Sequence, residues 1–266
     1  NDRVFDMNYY VKMLHLYGAG QYPSEVVGII QTDELLRQLA PGLGIAAADD
    51  EINQEVRNII QTESDPNKNG DDETEFEELY RQRLKTLKLS DKEFTEIVEA
   101  EILRGKIREE YIRPMVPTEA RQVHVQGILV ETEGDVTQVT DELQSGKDFA
   151  TVAQELSQDY ASKGGGGDLG WLPPGIMGSE FDKAAFDLEL GTLSEPIRNR
   201  GGGYWVIKVL ERNGEGEKRS IDEEKLESFI GIKYNTWFSE QKEKSRLEDY
   251  LDAEKMAWAQ KQLAEW

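Results

Sequence analysis

The stretch that most constrains this chain runs from Gly164 to Trp171. Four consecutive glycines, Gly164 to Gly167, lead directly into Asp168, Leu169, Gly170 and Trp171. A glycine run by itself permits almost any loop, because a residue without Cβ visits both halves of φ space. The neighbouring residues narrow the choice. Leu172-Pro173-Pro174-Gly175-Ile176-Met177-Gly178 is apolar and rich in turn formers. The next residues repeat at helical spacing, with Phe181, Ala184, Ala185 and Leu188 on one face. Gly191-Thr192-Leu193-Ser194-Glu195-Pro196-Ile197 then precedes a strand-like run from Tyr204 to Val209.

The residues just upstream complete that unit. Val123, Val125 and Ile128-Leu129-Val130 read as a strand, and Val136 to Leu143 and Phe149 to Leu156 as two helices. The two ends of the chain read differently. Val4-Phe5 looks like a short strand, after which Asp6 caps a helix with Met7, Tyr10, Val11 and Leu14 on one face. Ser24 is placed to cap a second helix, containing Val26, Val27 and Ile30. Asp49 or Asp50 opens a third, with Ile52, Val56, Ile59 and Ile60 in helical register. Phe76, Leu79, Tyr80, Leu84 and Leu87 mark a fourth. Ser90-Asp91-Lys92-Glu93 is a capping box opening a fifth, which Pro114 and Pro117 end.

Beyond Arg212 a Gly/Glu linker leads to a further capping-box pattern at Ser220 to Glu223. Leu226, Ile230, Tyr234, Trp237 and Phe238 come next on one face, then Tyr250, Leu251, Met256 and Leu263. So short a segment cannot bury that apolar surface alone, and packing against the N-terminal helices is the economical solution. The expected organisation is a helical N-terminal domain (1–117), the mixed unit (118–213) and C-terminal helices (214–266) that return to the first domain. The Trp and Tyr side chains of these helices suit either a core or the lining of a groove for polypeptide clients.

Asp65, Asn67, Asn69 and Gly70, with Asp71 next, match the first half of a calcium loop, in which oxygen ligands alternate around a sharp glycine turn. The second half departs from it: the twelfth position is Phe76, and Glu75 and Glu77 fall to either side. An acidic solvated loop fits the same residues.

Net charge is −22, from 31 basic and 53 acidic residues. Such a surface repels phosphate backbones and anionic lipid heads, which argues against nucleic-acid binding and suits basic or neutral polypeptides. Cysteine is absent, so disulfides, thiol nucleophiles and Cys-ligated zinc are excluded. An oxidising, extracytoplasmic setting is compatible with this. No apolar run reaches the roughly 18 residues of a membrane span. The abrupt opening at Asn1-Asp2-Arg3-Val4-Phe5 leads us to expect an anchor or signal segment upstream.

Several pieces of the central unit match one family together. They are Ser157-Gln158-Asp159, Gly166-Gly167-Asp168-Leu169-Gly170-Trp171, Met177 ahead of a helix carrying Phe181, the Gly191 to Pro196 segment, and the closing strand from Gly203 to Val209. Their order resembles the parvulin family of peptidyl-prolyl isomerases, over roughly residues 119 to 213. The resemblance implies an α+β fold, a small antiparallel sheet with helices, inserted in an all-α chaperone domain as in the SurA and PrsA foldases. It implies a proline pocket of Leu169, Met177 and Phe181, and an acidic residue, Asp159, beside the rotating amide. Each of the three apolar residues also reads plainly as core. No cofactor is required by such chemistry. Clients would be unfolded or proline-containing polypeptides.

Two departures from the family stand out. Parvulins usually carry a histidine pair in the sheet floor; here the corresponding positions are Gly127 and Trp205. Trp205 is expected to fill the volume left beside Gly127, and isomerase turnover is expected to be low or absent. His124 lies an odd number of residues from Gly127, and strand alternation puts it on the opposite face. A non-catalytic holdase, or a structural subunit of a larger assembly using the fold as a peptide platform, is the alternative. Asp168 is expected to hold the glycine turn.

Overall fold

The computed structural model describes residues 3–17, 23–63 and 73–266. Helix α1 (Met7–Leu16) is capped as the sequence implies, with the Asp6 carboxylate accepting from Tyr9 N at 2.8 Å. Val4 and Phe5 do not form the expected strand. Among the described residues no neighbouring strand pairs with them, and the Phe5 ring instead stacks on Tyr9 at 5.1 Å. Helix α2 (Pro23–Leu39) starts one residue ahead of the expected cap, Ser24. Proline suits the first turn, where its missing N–H would have had no partner.

Helices α3 (Asp49–Glu63), α4 (Glu73–Leu87) and α5 (Asp91–Lys106) come next. The capping box at α5 is complete: Ser90 Oγ accepts from Glu93 N while the Glu93 carboxylate accepts from Ser90 N. A wider π turn (Ile107–Ile112) and a tighter 3-10 turn (Arg113–Met115) then carry the chain out of the helix. The calcium-loop residues Asp65, Asn67, Asn69 and Asp71 lie outside the described residues.

The mixed unit begins with β1 (Glu119–Ala120), β2 (Val123–Val130), α6 (Glu133–Gln144), α7 (Phe149–Leu156) and α8 (Tyr160–Lys163). It continues through β3 (Asp168–Leu172), α9 (Ser179–Asp187), β4 (Ile197–Arg198) and β5 (Tyr204–Arg212). The chain ends with β6 (Arg219–Ser220), α10 (Glu223–Lys244) and α11 (Ala253–Ala264). It divides into two compact units, Asn1–Met115 with Tyr234–Trp266, and Val116–Lys233. No described helix is long and apolar enough to cross a membrane.

The first unit has two apolar cores. Tyr10, Val11, Met13 and Leu14 of α1 pack with Val26 and Ile30 of α2 and Ala259 of α11. Val56 and Ile60 of α3 pack with Leu87 of α4, and with Phe94 and Val98 of α5. Trp266 stacks on His15 at 4.4 Å and donates its indole N–H to Thr86 O at 3.0 Å.

The second unit is built on an antiparallel sheet of order β3-β2-β5-β4. One face buries Val123, Val125, Trp205, Ile207 and Val209 under α9, which contributes Phe181 and Ala185. The other buries Ile128, Val130 and Val206 under α6 and α7. Alternation along β2 and β5 supplies both faces from the same two strands. The glycine stretch is more ordered than a connecting loop: Asp168–Leu172 pairs with β2 as a sheet strand.

A separate two-stranded ladder joins β1 to β6. It overturns the expected capping box at Ser220. That residue pairs with Glu119, and its carbonyl accepts from the buried Gln122 side chain. Asp222 takes over as the cap of α10, its Oδ1 accepting from Lys225 N at 3.0 Å.

Candidate functional site

The site is assembled around β2. Its Gly127 N donates to Gly167 O at 2.8 Å, which pulls the end of the glycine run onto the strand. The approach is close enough that a Cβ on Gly167 would lie 2.5 Å from Gly127 O, and Gly167 has φ of 78°. Gly165 N and Gly167 N both donate to Ser162 O at 2.9 Å. The run is therefore a hydrogen-bonded turn in which specific positions must be glycine.

Asp168 closes this turn. Its Oδ1 accepts from Gly170 N and from His124 Nε2, each at 2.8 Å. Partial burial disfavours the charge, but the hydrogen bonds from Gly170 and His124 outweigh it and hold the carboxyl below its ordinary range. His124 stacks on Trp171 at 5.6 Å, and the Arg219 guanidinium lies 4.4 Å from the same indole. The role expected of Asp168 matches its contacts.

On the α9 face, Gly127, Leu169, Met177, Phe181 and Trp205 come together. Phe181 and Trp205 are buried and meet edge to face, with centroids 6.0 Å apart and planes at 88°. Leu169 and Met177 are only partly buried and pack against them. A Cβ on Gly127 would lie 2.7 Å from Leu169 Cδ1 and 2.9 Å from Trp205 Cζ3. Register explains this contact: Trp205 is the direct partner of Leu129, so Gly127 is its diagonal neighbour on the same face. Leu129 packs on the cluster too. Sequence reasoning passed over it, although its position two residues from Gly127 was the available signal.

Asp159 makes its hydrogen bonds elsewhere. It caps α8, with Oδ2 accepting from Ser162 N at 3.2 Å and from the Ser162 hydroxyl. Ser157, fully buried, holds this corner to β2. Its Oγ accepts from Leu129 N and Asp159 N, each at 3.2 Å, and Gln158 N donates to Leu129 O at 2.7 Å. No local pattern marks Ser157 as this anchor, because its partner on β2 lies far away along the chain. Among the described residues, no group of three His, Asp or Glu side chains is placed to hold a metal ion.

A family model described as "Rotamase: PPIC-type PPIASE domain" matches residues 126–211. The chain carries a parvulin domain. That domain spans the sheet, the glycine turn and the Leu169, Met177, Phe181 and Trp205 cluster. A foldase protein PrsA of Geobacillus kaustophilus is 34% identical over 152 residues, covering 54% of this chain and 53% of the relative. A chaperone SurA of Legionella pneumophila is 32% identical over 118 residues, covering 41% of this chain and 27% of the relative. The chain thus spans about half the length of the first curated relatives it matches. Among solved structures, a PrsA peptidylprolyl isomerase of Bacillus anthracis is similar, with a TM-score of 0.48 and 18% identity. That match covers 89% of this chain and 94% of the other.

Proposed function

We propose that the parvulin domain binds proline-containing segments of unfolded polypeptides and accelerates X-Pro rotation weakly, as part of a foldase working outside the cytoplasm. The observation that carries this reading is the apolar cluster. Leu169 and Met177 present partly open walls over a floor of Phe181 and Trp205, inside a domain matched by the rotamase model.

Rotation breaks amide resonance, a barrier of about 18–20 kcal/mol, and cleaves no bond. The twisted amide separates less charge than the planar one. Apolar walls around the proline ring therefore favour the twisted state over the ground state, and each ~1.36 kcal/mol of that preference is tenfold in rate. Gly127 lets Leu169 and Trp205 pack directly onto β2, and a larger residue there would push these walls apart. By its place in the parvulin motif Asp159 is the acid beside the rotating amide, and Ser162 holds its Oδ2. The absence of cysteine suits the extracytoplasmic setting, and the same reading includes a tether to the membrane.

One observation favours a second reading. Gly127 and Trp205 stand where parvulins usually carry histidines, and the indole covers Gly127. A domain so altered suits peptide docking without turnover, as in a holdase or a structural subunit. Two measurements separate the readings. Cis–trans exchange of a proline peptide, followed by NMR at high protein concentration, should be weak but measurable. Suppressed aggregation of a proline-free client, with no exchange at all, would favour the holdase.

A further inference from the structure

The hairpin between β4 and β5 places one cation beside the apolar cluster. Its tip is tightly built: Asn199 N donates to Gly203 O, Gly202 N to Asn199 O, and Asn199 Nδ2 to Gly202 O, all at 3.0 Å. Gly203 has φ of 79°, and a Cβ there would lie 2.3 Å from Val130 O, so the hairpin is clamped to the end of β2. Arg200 projects from this tip onto Gly178. A Cβ on Gly178 would lie 2.8 Å from Arg200 Nε, 3.1 Å from Cζ and 3.4 Å from Nη2. With φ of 102°, Gly178 is in the region that favours glycine, and the missing side chain is what lets the guanidinium rest there.

Gly178 comes directly after Met177, and its carbonyl accepts from Asp182 N at 2.9 Å as α9 begins, in the turn that carries Phe181. The guanidinium therefore stands at the Met177 side of the cluster. It makes no hydrogen bond or ion pair among the described residues. Its charge is felt by Asp182, whose Oδ2 already accepts from Gly175 N at 2.7 Å. A guanidinium lying against a glycine with its donors open to solvent is free to pair with a carboxylate, and the chain's net charge of −22 makes such an unpaired cation notable.

We propose that Arg200 is a specificity determinant of this site, selecting client segments that carry a carboxylate side chain next to the proline. The proposal rests on the proline-binding reading above and adds to it the chemical class of the flanking residue.

The test uses the full chain and three peptides that differ only in the residue before proline, which is Glu, Ala or Lys. Affinity is read by NMR titration, and exchange between cis and trans resonances is read on the same samples. At low ionic strength the Glu peptide should bind about three- to fivefold more tightly than the Ala peptide, the size of one exposed ion pair, and the margin should shrink with salt. Arg200→Lys should keep the order Glu, Ala, Lys, and Arg200→Glu should reverse it. Equal affinity for all three peptides would overturn the role of Arg200 and leave the proline site standing. Failure of every peptide to bind would overturn the proline-binding reading itself, and this proposal with it.

Discussion

The indole of Trp205 lies over Gly127 so closely that a Cβ on the glycine would sit 2.9 Å from its Cζ3. The two positions are one packing decision made by residues far apart in the chain. Gly127 is tolerated in a central strand because Trp205 occupies the space it leaves, and Trp205 fits because nothing projects from Gly127.

That coupling predicts strong non-additivity. Gly127→Ala should cost about 1–3 kcal/mol through overpacking. Trp205→His should cost about 2–4 kcal/mol, toward the lower end of aromatic truncations. Gly127→His combined with Trp205→His should be less damaging than the sum, because the smaller ring vacates the space the new one needs. Urea unfolding of the single and double variants measures the difference. Exchange spectroscopy on the double variant should also show faster X-Pro rotation than the parent, since it restores the ring pair that parvulins usually carry.

Within the glycine run the positions are not equivalent. Gly167→Ala should destabilise by about 3 kcal/mol or more, because it forces a Cβ against Gly127 O from a left-handed backbone. Gly164→Ala should stay within about 0.5 kcal/mol, since φ there is −63° and no atom would lie within 4 Å of the added carbon. Thermal melts of the two variants side by side would show it, and equal effects would refute the ordered turn.

Met177 and Phe181 should separate binding from stability. Phe181→Ala removes a buried ring and should cost about 3–5 kcal/mol of stability. Met177→Ala, at the partly open wall, should leave melting almost unchanged. It should weaken proline-peptide binding about five- to tenfold, the loss of roughly 1 kcal/mol of apolar contact. Loss of stability in both, with unchanged affinity in the Met177 variant, would mean that the cluster is core alone.

Asp168 should make the fold acid-sensitive. Its carboxyl is held below the ordinary aspartate value of 3.8 in the folded chain, so the folded state binds that proton less tightly than the unfolded one. The stabilisation is complete above about pH 3.8 and is lost as pH falls through the lower folded value. Asp168→Asn should flatten that part of a urea-midpoint profile. At neutral pH, Asp168→Ala should cost about 0.5–1.5 kcal/mol through the Gly170 and His124 hydrogen bonds.

Asp33 should act with the opposite sign. Arg104 Nη2 lies 2.7 Å from its Oδ1, yet burial outweighs the ion pair and pushes the carboxyl up to about 6. The folded chain then binds the proton more tightly. Stability should rise as pH falls from above about 6 towards the ordinary 3.8, and Asp33→Asn should abolish the rise. Urea midpoints at several pH values between those limits check the direction.

Local signals in the sequence determined a good deal of this protein. Asp6 and the Ser90–Glu93 box cap the helices they precede, because a cap is a contact between residues three apart. The strand around Ile128 and the helices α6 and α7 arise from apolar spacing alone, and the motif order marks the parvulin domain. Where the deciding partner is distant in sequence, local reading failed. Ser220 looks like a cap and is instead claimed by Glu119 and Gln122, about a hundred residues away. The Asp168–Leu172 segment resembles a loop until β2 supplies its ladder. The setting of Trp205 over Gly127 and of Arg200 against Gly178 was decided only by the tertiary structure. Strand register and hairpin placement select such neighbours, and no period along the chain encodes them.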